Sequence, residues 1–403
     1  MKFINGGVCA AKGFSANGIH CGIRKNKTKR DLSLIYSEAM CDAAAVYTTN
    51  LVKGAPITVN KEHLKDYKAQ AVVCNSGNAN TCNANGVEIS KQMAQITANA
   101  LNLNCEDVLV GSTGVIGMPM DIEPIQNGIN ELVSGLGDKS GDAAEGIMTT
   151  DTVKKEVAVS FKIGDTECKI GGIAKGSGMI HPNMATMLVF ITTDCAIEGN
   201  MLQKALSSDI KNTFNMVSID GDTSTNDMVI VLANGMAGNK KIDADGDDFN
   251  EFMKALNTVT VNLCRMIAAD GEGATKMLEC TVCGAKNDEN AKIASKAVIC
   301  SSLVKSAMFG SDANWGRVLC AVGYSGADVD VNKVDLWFKS KKGEILVCQN
   351  GAGVDFSEEI AKEILLENEI EIKMNFNDGN GCATAWGCDL TYDYVKINGD
   401  YRT

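Results

Sequence analysis

Apolar runs and Gly/Asn turns alternate along the whole of this 403-residue chain. Residues 69–75 (AQAVVCN) and 186–194 (TMLVFITTD) predict short buried strands, because continuous Val, Ile and Leu runs of this length suit a sheet covered on both faces. Between 247 and 269 the period changes. Phe249, Phe252, Met253, Leu256, Val259, Leu263, Met266 and Ile267 recur at helical spacing, with Asp245 or Asp247 to cap the start and Gly271 to end it. A second helix is expected over Ser357 to Glu367. Ile370, Ile372, Met374 and Phe376 then alternate with polar residues, as a half-buried strand does. Asn377-Asp378-Gly379 predicts a hairpin turn into a strand near 383–396.

Strands and helices are thus intermixed, with hairpin signals late in the chain. That pattern favours an α+β fold, a layered sheet-and-helix architecture, over a doubly wound parallel sheet. The shift toward hairpins sets a main α+β catalytic domain at 1–280 and a smaller C-terminal α+β domain at 281–403. No flexible linker or internal repeat marks the boundary.

Composition narrows the function classes. The 38 Lys+Arg against 50 Asp+Glu leave a net charge of −12, and no Lys/Arg-rich block interrupts it. Such a chain gains nothing from counterion release, so nucleic acid and anionic membrane are poor partners. No stretch approaches the roughly 20 apolar residues that span a bilayer, and residues 1–14 lack the apolar core of a signal peptide. Sixteen Cys without an export signal point to the cytoplasm, where they are expected to act as small buried hydrophobes rather than staples.

Candidate chemistry is reached by elimination. There are three His (His20, His63 and His181) and no G-x-S-x-G elbow for a Ser-His-Asp hydrolase. Gly171 to Gly176 has the spacing of a phosphate loop, but Ser177 stands where Lys is needed. Cys280-x-x-Cys283 lacks the other two ligands of a zinc site. Asp243-x-Asp245-x-Asp247 lacks the glycine and the terminal Glu of a calcium loop, so no metal is expected. What remains is KGSGMIHPNMATML, from Lys175 to Leu188: glycine-rich backbone, then a small residue, then a Thr that opens a buried run. If the Ala185–Thr186 bond breaks, Thr186 gains an α-amino group with a reference pKa of roughly 7.7–8.0, a suitable base for its own hydroxyl. On the residues alone, a glycine loop feeding a core strand is the favoured reading of this stretch.

The segment KGSGMIHPNMATMLVFITTD resembles the cleavage motif of the ornithine acetyltransferase family, the bifunctional glutamate N-acetyltransferase/amino-acid acetyltransferase of arginine biosynthesis. Further matching segments run in order along the chain: GGVCAAKGFSANGIHCGIRK at 6–25, NSGNAN at 75–80, GSTGVIGMPM at 111–120, MTTDT at 148–152, DGDTSTND at 220–227, GSDANWGR at 310–317 and YVKINGDYRT at 394–403. The resemblance implies the layered fold of the self-processing N-terminal-nucleophile aminopeptidases and ornithine acetyltransferases. It implies a precursor cut into an α chain, 1–185, and a β chain, 186–403, assembled as an α2β2 heterotetramer. It also implies a ping-pong reaction in which the acetyl group of N2-acetylornithine passes to Thr186 and then to glutamate, with no cofactor. Bifunctional members also take acetyl-CoA as donor, and the sequence does not separate the two kinds.

By the same resemblance Thr113 and Gly114 form the oxyanion pair, and Thr149, Lys175, Thr186, Glu272, Asn398 and Thr403 bind substrate. The C-terminal tail is thereby expected to return to the active site. These types suit the ligand: Lys175 and hydroxyl donors can hold a carboxylate, and Glu272 is the natural partner of ornithine's distal ammonium. Bland roles compete with each. Thr113 can cap a turn, Glu272 can be a solvated residue at a helix end, and Thr150 stands beside Thr149. His181 is read as structural. The alternative activity is hydrolysis by a self-processing aminopeptidase or amidase of the related β-peptidyl aminopeptidase type. A Cys-rich structural protein is the non-catalytic alternative.

Overall fold

A computed structural model describes residues 1–181 and 187–399. Ala185, Thr186 and Thr403 therefore lie outside the described residues. Two compact units emerge. One comprises Met1–Gly176, Asn183–Lys211 and Thr223–Leu263; the other comprises Ser177–Pro182, Asn212–Asp222 and Cys264–Thr403. The chain enters the second unit more than once, where the sequence pattern placed a single boundary near residue 280.

The first unit is built on a mixed sheet of nine strands among the described residues. Its order is Lys2–Ile4, Lys155–Ile163, Thr166–Lys175, Leu188–Thr193, Met228–Ala233, Leu32–Tyr47, Lys68–Asn78 and Val108–Val115, with Phe14–Ile19 paired onto Leu32–Tyr47. The uninterrupted run AVVC has the predicted cause. Ala71 and Val73 pack with Ile89, Met93, Ile125 and Ile129 in one apolar cluster, while Val72 and Cys74 join Ala143, Ile147 and Phe190 in another. Helices thus cover both faces of the AVVC run, and both are apolar.

The long helix expected from spacing is Asp247–Ala269, with Asp247 and Asp248 in its first turn, where the helix dipole favours negative charge. Phe252 is fully buried and meets Phe161 edge-on at 6.3 Å between ring centroids.

The second unit carries a seven-stranded sheet, ordered Ala352–Gly353, Gly343–Gln349, Asp335–Ser340, Glu369–Asn375, Met277–Ala285, Gly381–Cys388 and Val217–Ser218. Here one expectation is corrected. Asn377 does adopt a left-handed turn conformation at φ +51°. The strands on either side of that turn are not partners, however, because Met277–Ala285 lies between them, parallel to one and antiparallel to the other. Local turn chemistry fixes the reversal of the chain, whereas an earlier strand takes the ladder. The following strand also ends at Cys388, because Thr391 caps the helix Tyr392–Asn398 by accepting the Tyr394 N–H.

A second correction concerns the cysteines. Cys283 is bonded to Cys382 across strands whose register slips between Val282 and Ala285, bringing the two Cα atoms to 4.2 Å. Cys280 is a buried free thiol, so the Cys280-x-x-Cys283 pair does not act together. With Cys280, fourteen cysteines are free, eight of them buried, as small apolar side chains are.

Candidate active site

The strand Leu188–Thr193 begins two residues after Thr186. On one side Lys175 lies opposite Leu188 in an antiparallel pairing, and on the other Met228 lies opposite Leu188 in a parallel one. Register alone therefore brings the ends of two distant segments, Lys175 and Asp227–Met228, to the start of this strand. Met187 is held from both directions. Its N–H donates to Asp227 Oδ1 at 2.9 Å, and its carbonyl accepts the Met228 N–H at 3.1 Å.

Lys175 is 3% exposed, and the loop after it is fixed by a buried carboxylate. Asp151 Oδ1 accepts the Gly176 N–H at 2.8 Å and the Lys155 ammonium at 2.7 Å, while Oδ2 accepts the Thr149 N–H at 3.0 Å. One aspartate thus ties two of the expected substrate-binding positions, Thr149 and Lys175, into a single buried network. Burial alone would push the Asp151 carboxyl up; the Lys155 and Lys175 cations, with the Lys155 and Thr149 hydrogen bonds, outweigh it and hold the value at about 2. Asp227 is the opposite case. Burial drives its carboxyl well above the ordinary range, against the Met187 N–H and the Lys175 charge.

Thr113 and Gly114 end the strand Val108–Val115, in parallel register with Ser76 and Gly77. Gly114 has φ +132°, and a methyl group there would lie 2.4 Å from the Gly77 carbonyl carbon, so only glycine fits. Thr113 is buried, and among the described residues its hydroxyl has no hydrogen-bond partner, which leaves it available to a ligand. The Asn226 side chain donates to the Ser112 carbonyl at 3.0 Å and the Ala79 carbonyl at 2.6 Å. The segment leading into Asp227 is thereby fastened to the residue before Thr113. NSGNAN is scaffolding: Asn75 accepts the Ser112 hydroxyl at 2.6 Å, and Asn78 donates to the Met118 carbonyl at 3.1 Å.

In the second unit Glu272 is not a solvated helix-end residue. It is 6% exposed, its N–H donates to the Ser177 carbonyl at 2.9 Å, and its Oε2 accepts the Asn398 side chain at 2.7 Å. A methyl group on Gly178 would sit 2.3 Å from that carboxylate, so the glycine run here makes room for the acid. His181 Nδ1 lies 3.1 Å from the Ser218 hydroxyl and 3.5 Å from the Cys300 sulfur, and burial with the nearby Lys296 charge lowers its pKa. A separate depression of about 630 Å³ is lined by ion-paired residues including Arg265, Glu279, Lys339 and Glu371, and none of the residues assigned by resemblance borders it.

Sequence reasoning missed Asp151, Lys155 and Asp227. Both aspartates lie inside segments quoted for their resemblance, MTTDT and DGDTSTND. The signal of Asp227 was an acid among small polar residues, and that of Asp151 an acid four residues ahead of Lys155.

A profile of the ArgJ family matches residues 15–403. The chain belongs to that family. A relative from Caldanaerobacter subterraneus subsp. tengcongensis, the arginine biosynthesis bifunctional protein ArgJ, is 52% identical over all of both chains. Its counterpart from Bacillus subtilis is 47% identical, covering 99% of this chain and 97% of the relative. The crystal structure of arginine biosynthesis bifunctional protein argJ from Bacillus halodurans matches with 46% identity and a TM-score of 0.50, covering 52% of this chain and 97% of that one. Membership of the ArgJ family establishes the acetyltransferase of arginine biosynthesis over the aminopeptidase alternative. Among the described residues no helix is long and apolar enough to cross a membrane.

Proposed function

We propose that this ArgJ-family enzyme severs its own Ala185–Thr186 bond and uses Thr186 to carry acetyl from N2-acetylornithine to glutamate. The Thr186 hydroxyl attacks the acetyl carbonyl while the freed α-amine takes the hydroxyl proton. The carbonyl oxygen, now negative, is held by the Thr113 hydroxyl and the Gly114 N–H. The C–N bond then breaks, the proton passes to the departing amine, and ornithine leaves an acetyl ester on Thr186 Oγ. Glutamate's amine attacks that ester, the ester bond breaks, and the hydroxyl regains a proton. Acetyl-CoA enters as a second donor for the same ester. Lys175 and Thr149 hold the amino-acid carboxylate, and Glu272 with Asn398 and Thr403 receives the distal end of the substrate.

The observation that carries this reading is the double clamp on Met187. The residue directly after Thr186 is held at both its N–H and its carbonyl, immediately before a strand whose neighbour ends in a buried lysine. Such rigidity is what a nucleophile needs and what a surface loop lacks. The Bacillus halodurans chain, covered almost completely yet matching only about half of this one, has the length that a cut near the middle produces. We also propose the α2β2 assembly of the two products. The cytoplasm is the proposed compartment, and fourteen free cysteines fit its reducing conditions.

The test is acetate and ornithine release from acetylornithine with and without glutamate. Ornithine formed in step with N-acetylglutamate supports transfer; fast acetate release that ignores glutamate contradicts it. Glutamate with acetyl-CoA alone tests the second donor.

A further inference from the structure

Asp227 has two carboxylate oxygens in very different circumstances. Oδ1 accepts the Met187 N–H at 2.9 Å. Oδ2 is buried and has no hydrogen-bond partner among the described residues. The Thr48 and Ser224 hydroxyls lie close enough to ease the charge, but neither supplies Oδ2 with a bond; the Thr48 hydroxyl donates to the Ser224 carbonyl at 2.8 Å instead. A buried carboxyl oxygen left without a partner is costly, so an orphan of this kind calls for an explanation.

Covalent geometry suggests the missing donor. Thr186 is joined directly to Met187, and consecutive Cα atoms lie about 3.8 Å apart. A carboxylate fixed to the Met187 N–H is therefore fixed a single peptide unit from the amine that cleavage would release. Before the cut that nitrogen is an amide with one N–H; afterwards it is an ammonium or amine with several donors and, when protonated, a charge.

We propose that Asp227 is the positioning residue of the nucleophile: Oδ1 locks the peptide after Thr186, and Oδ2 holds the α-amino group freed at Thr186. The inference rests on the cleavage reading above and adds to it a reason why the freed amine faces its own hydroxyl. Among the described residues the charge acting on Asp227 is that of Lys175, at the end of the strand on the far side of Leu188–Thr193; Lys175 acts also on Asp151, which pairs with Lys155. Burial disfavours the ionised form of Asp227 before the cut, whereas an ammonium at Oδ2 favours it; the carboxylate so formed offsets Lys175, which disfavours a second cation at this place. Without Asp227 the amine loses its anionic partner while Lys175 remains, so its pKa falls.

Asp227→Asn is the test, since it keeps the shape and keeps an acceptor for the Met187 N–H. Three quantities are read: the fraction of chain cut, the pH profile of kcat/KM, and the pH dependence of cyanate labelling of the Thr186 amine, followed by mass spectrometry. The proposal expects the acid limb of kcat/KM and the labelling midpoint to move together to lower pH by about one unit, with kcat lowered about tenfold or more. A merely structural role would lower the rate and leave both midpoints in place. Wild-type enzyme that is cut, with unmoved midpoints in the variant, overturns this inference alone; wild-type enzyme that is active yet uncut overturns the cleavage reading. Should Asp227→Asn not fold, a crystal structure of mature wild-type enzyme decides. An α-nitrogen within hydrogen-bond distance of Oδ2 upholds the proposal, and one bonded elsewhere defeats it.

Discussion

The Asp151 carboxylate accepts the Lys155 ammonium at 2.7 Å, with the two side chains 0% and 1% exposed, and with its other oxygen it fixes the Thr149 N–H. A fully buried ion pair is retained at a cost in desolvation, and breaking one partner is more damaging than never having had the pair.

Asp151→Asn is therefore expected to destabilise the protein by about 3–5 kcal/mol, read from urea unfolding near neutral pH. The sign with pH follows from the depressed folded value of about 2. The stabilisation is present above the unfolded value of roughly 3.9 and is lost as pH falls from there toward the folded one. Wild-type protein should thus lose stability over that interval faster than the variant. Parallel curves would show that Asp151 is not the ionised partner of Lys155.

Removing the Thr113 hydroxyl by Thr113→Val is expected to lower kcat on the order of 10²–10³, with KM for acetylornithine nearly unchanged. The hydroxyl serves the charge that develops in the transition state, so an effect confined to KM would assign it to ground-state binding.

How far the sequence foretold these relationships depended on how local they were. The helix at 247–269 and the strands at 69–75 and 369–376 were legible because apolar spacing reports burial directly, as Val72 and Val73 show by entering different clusters. The hairpin after Asn377 was not, because strand choice is a long-range matter: Met277–Ala285 was placed between the two strands by contacts roughly a hundred residues away in sequence. Glu272 was legible only through family resemblance; its burial comes from Ser177 and Asn398, neither near it in the chain. Asp227 escaped for the same reason, since it acquires its meaning from Met187, brought to it by register. Asp151 has its cation only four residues away, but the Gly176 N–H that completes its network comes from a distant strand end.

Glu272→Gln keeps the Asn398 hydrogen bond but removes the charge proposed to meet ornithine's ammonium. A charge-assisted hydrogen bond is worth about 1.5–3 kcal/mol, so KM for acetylornithine should rise roughly tenfold or more, while the glutamate half-reaction changes less. Equal effects on both substrates would place Glu272 outside distal-charge recognition.

Gly114→Ala should be worse than most glycine substitutions. The added methyl would meet Gly77 at 2.4 Å and the backbone sits at φ +132°. Both destabilisation by calorimetry and loss of kcat are expected. Unchanged activity would remove the Gly114 N–H from the oxyanion pair.

The most direct test of the whole account is the intact mass of purified enzyme at full activity, with Thr186→Ala as its companion. Wild-type protein should yield two fragments, the second beginning at Thr186, and the variant should remain a single inactive chain of 42.7 kDa. A fully active wild-type preparation consisting of one unbroken 42.7 kDa chain would contradict the account.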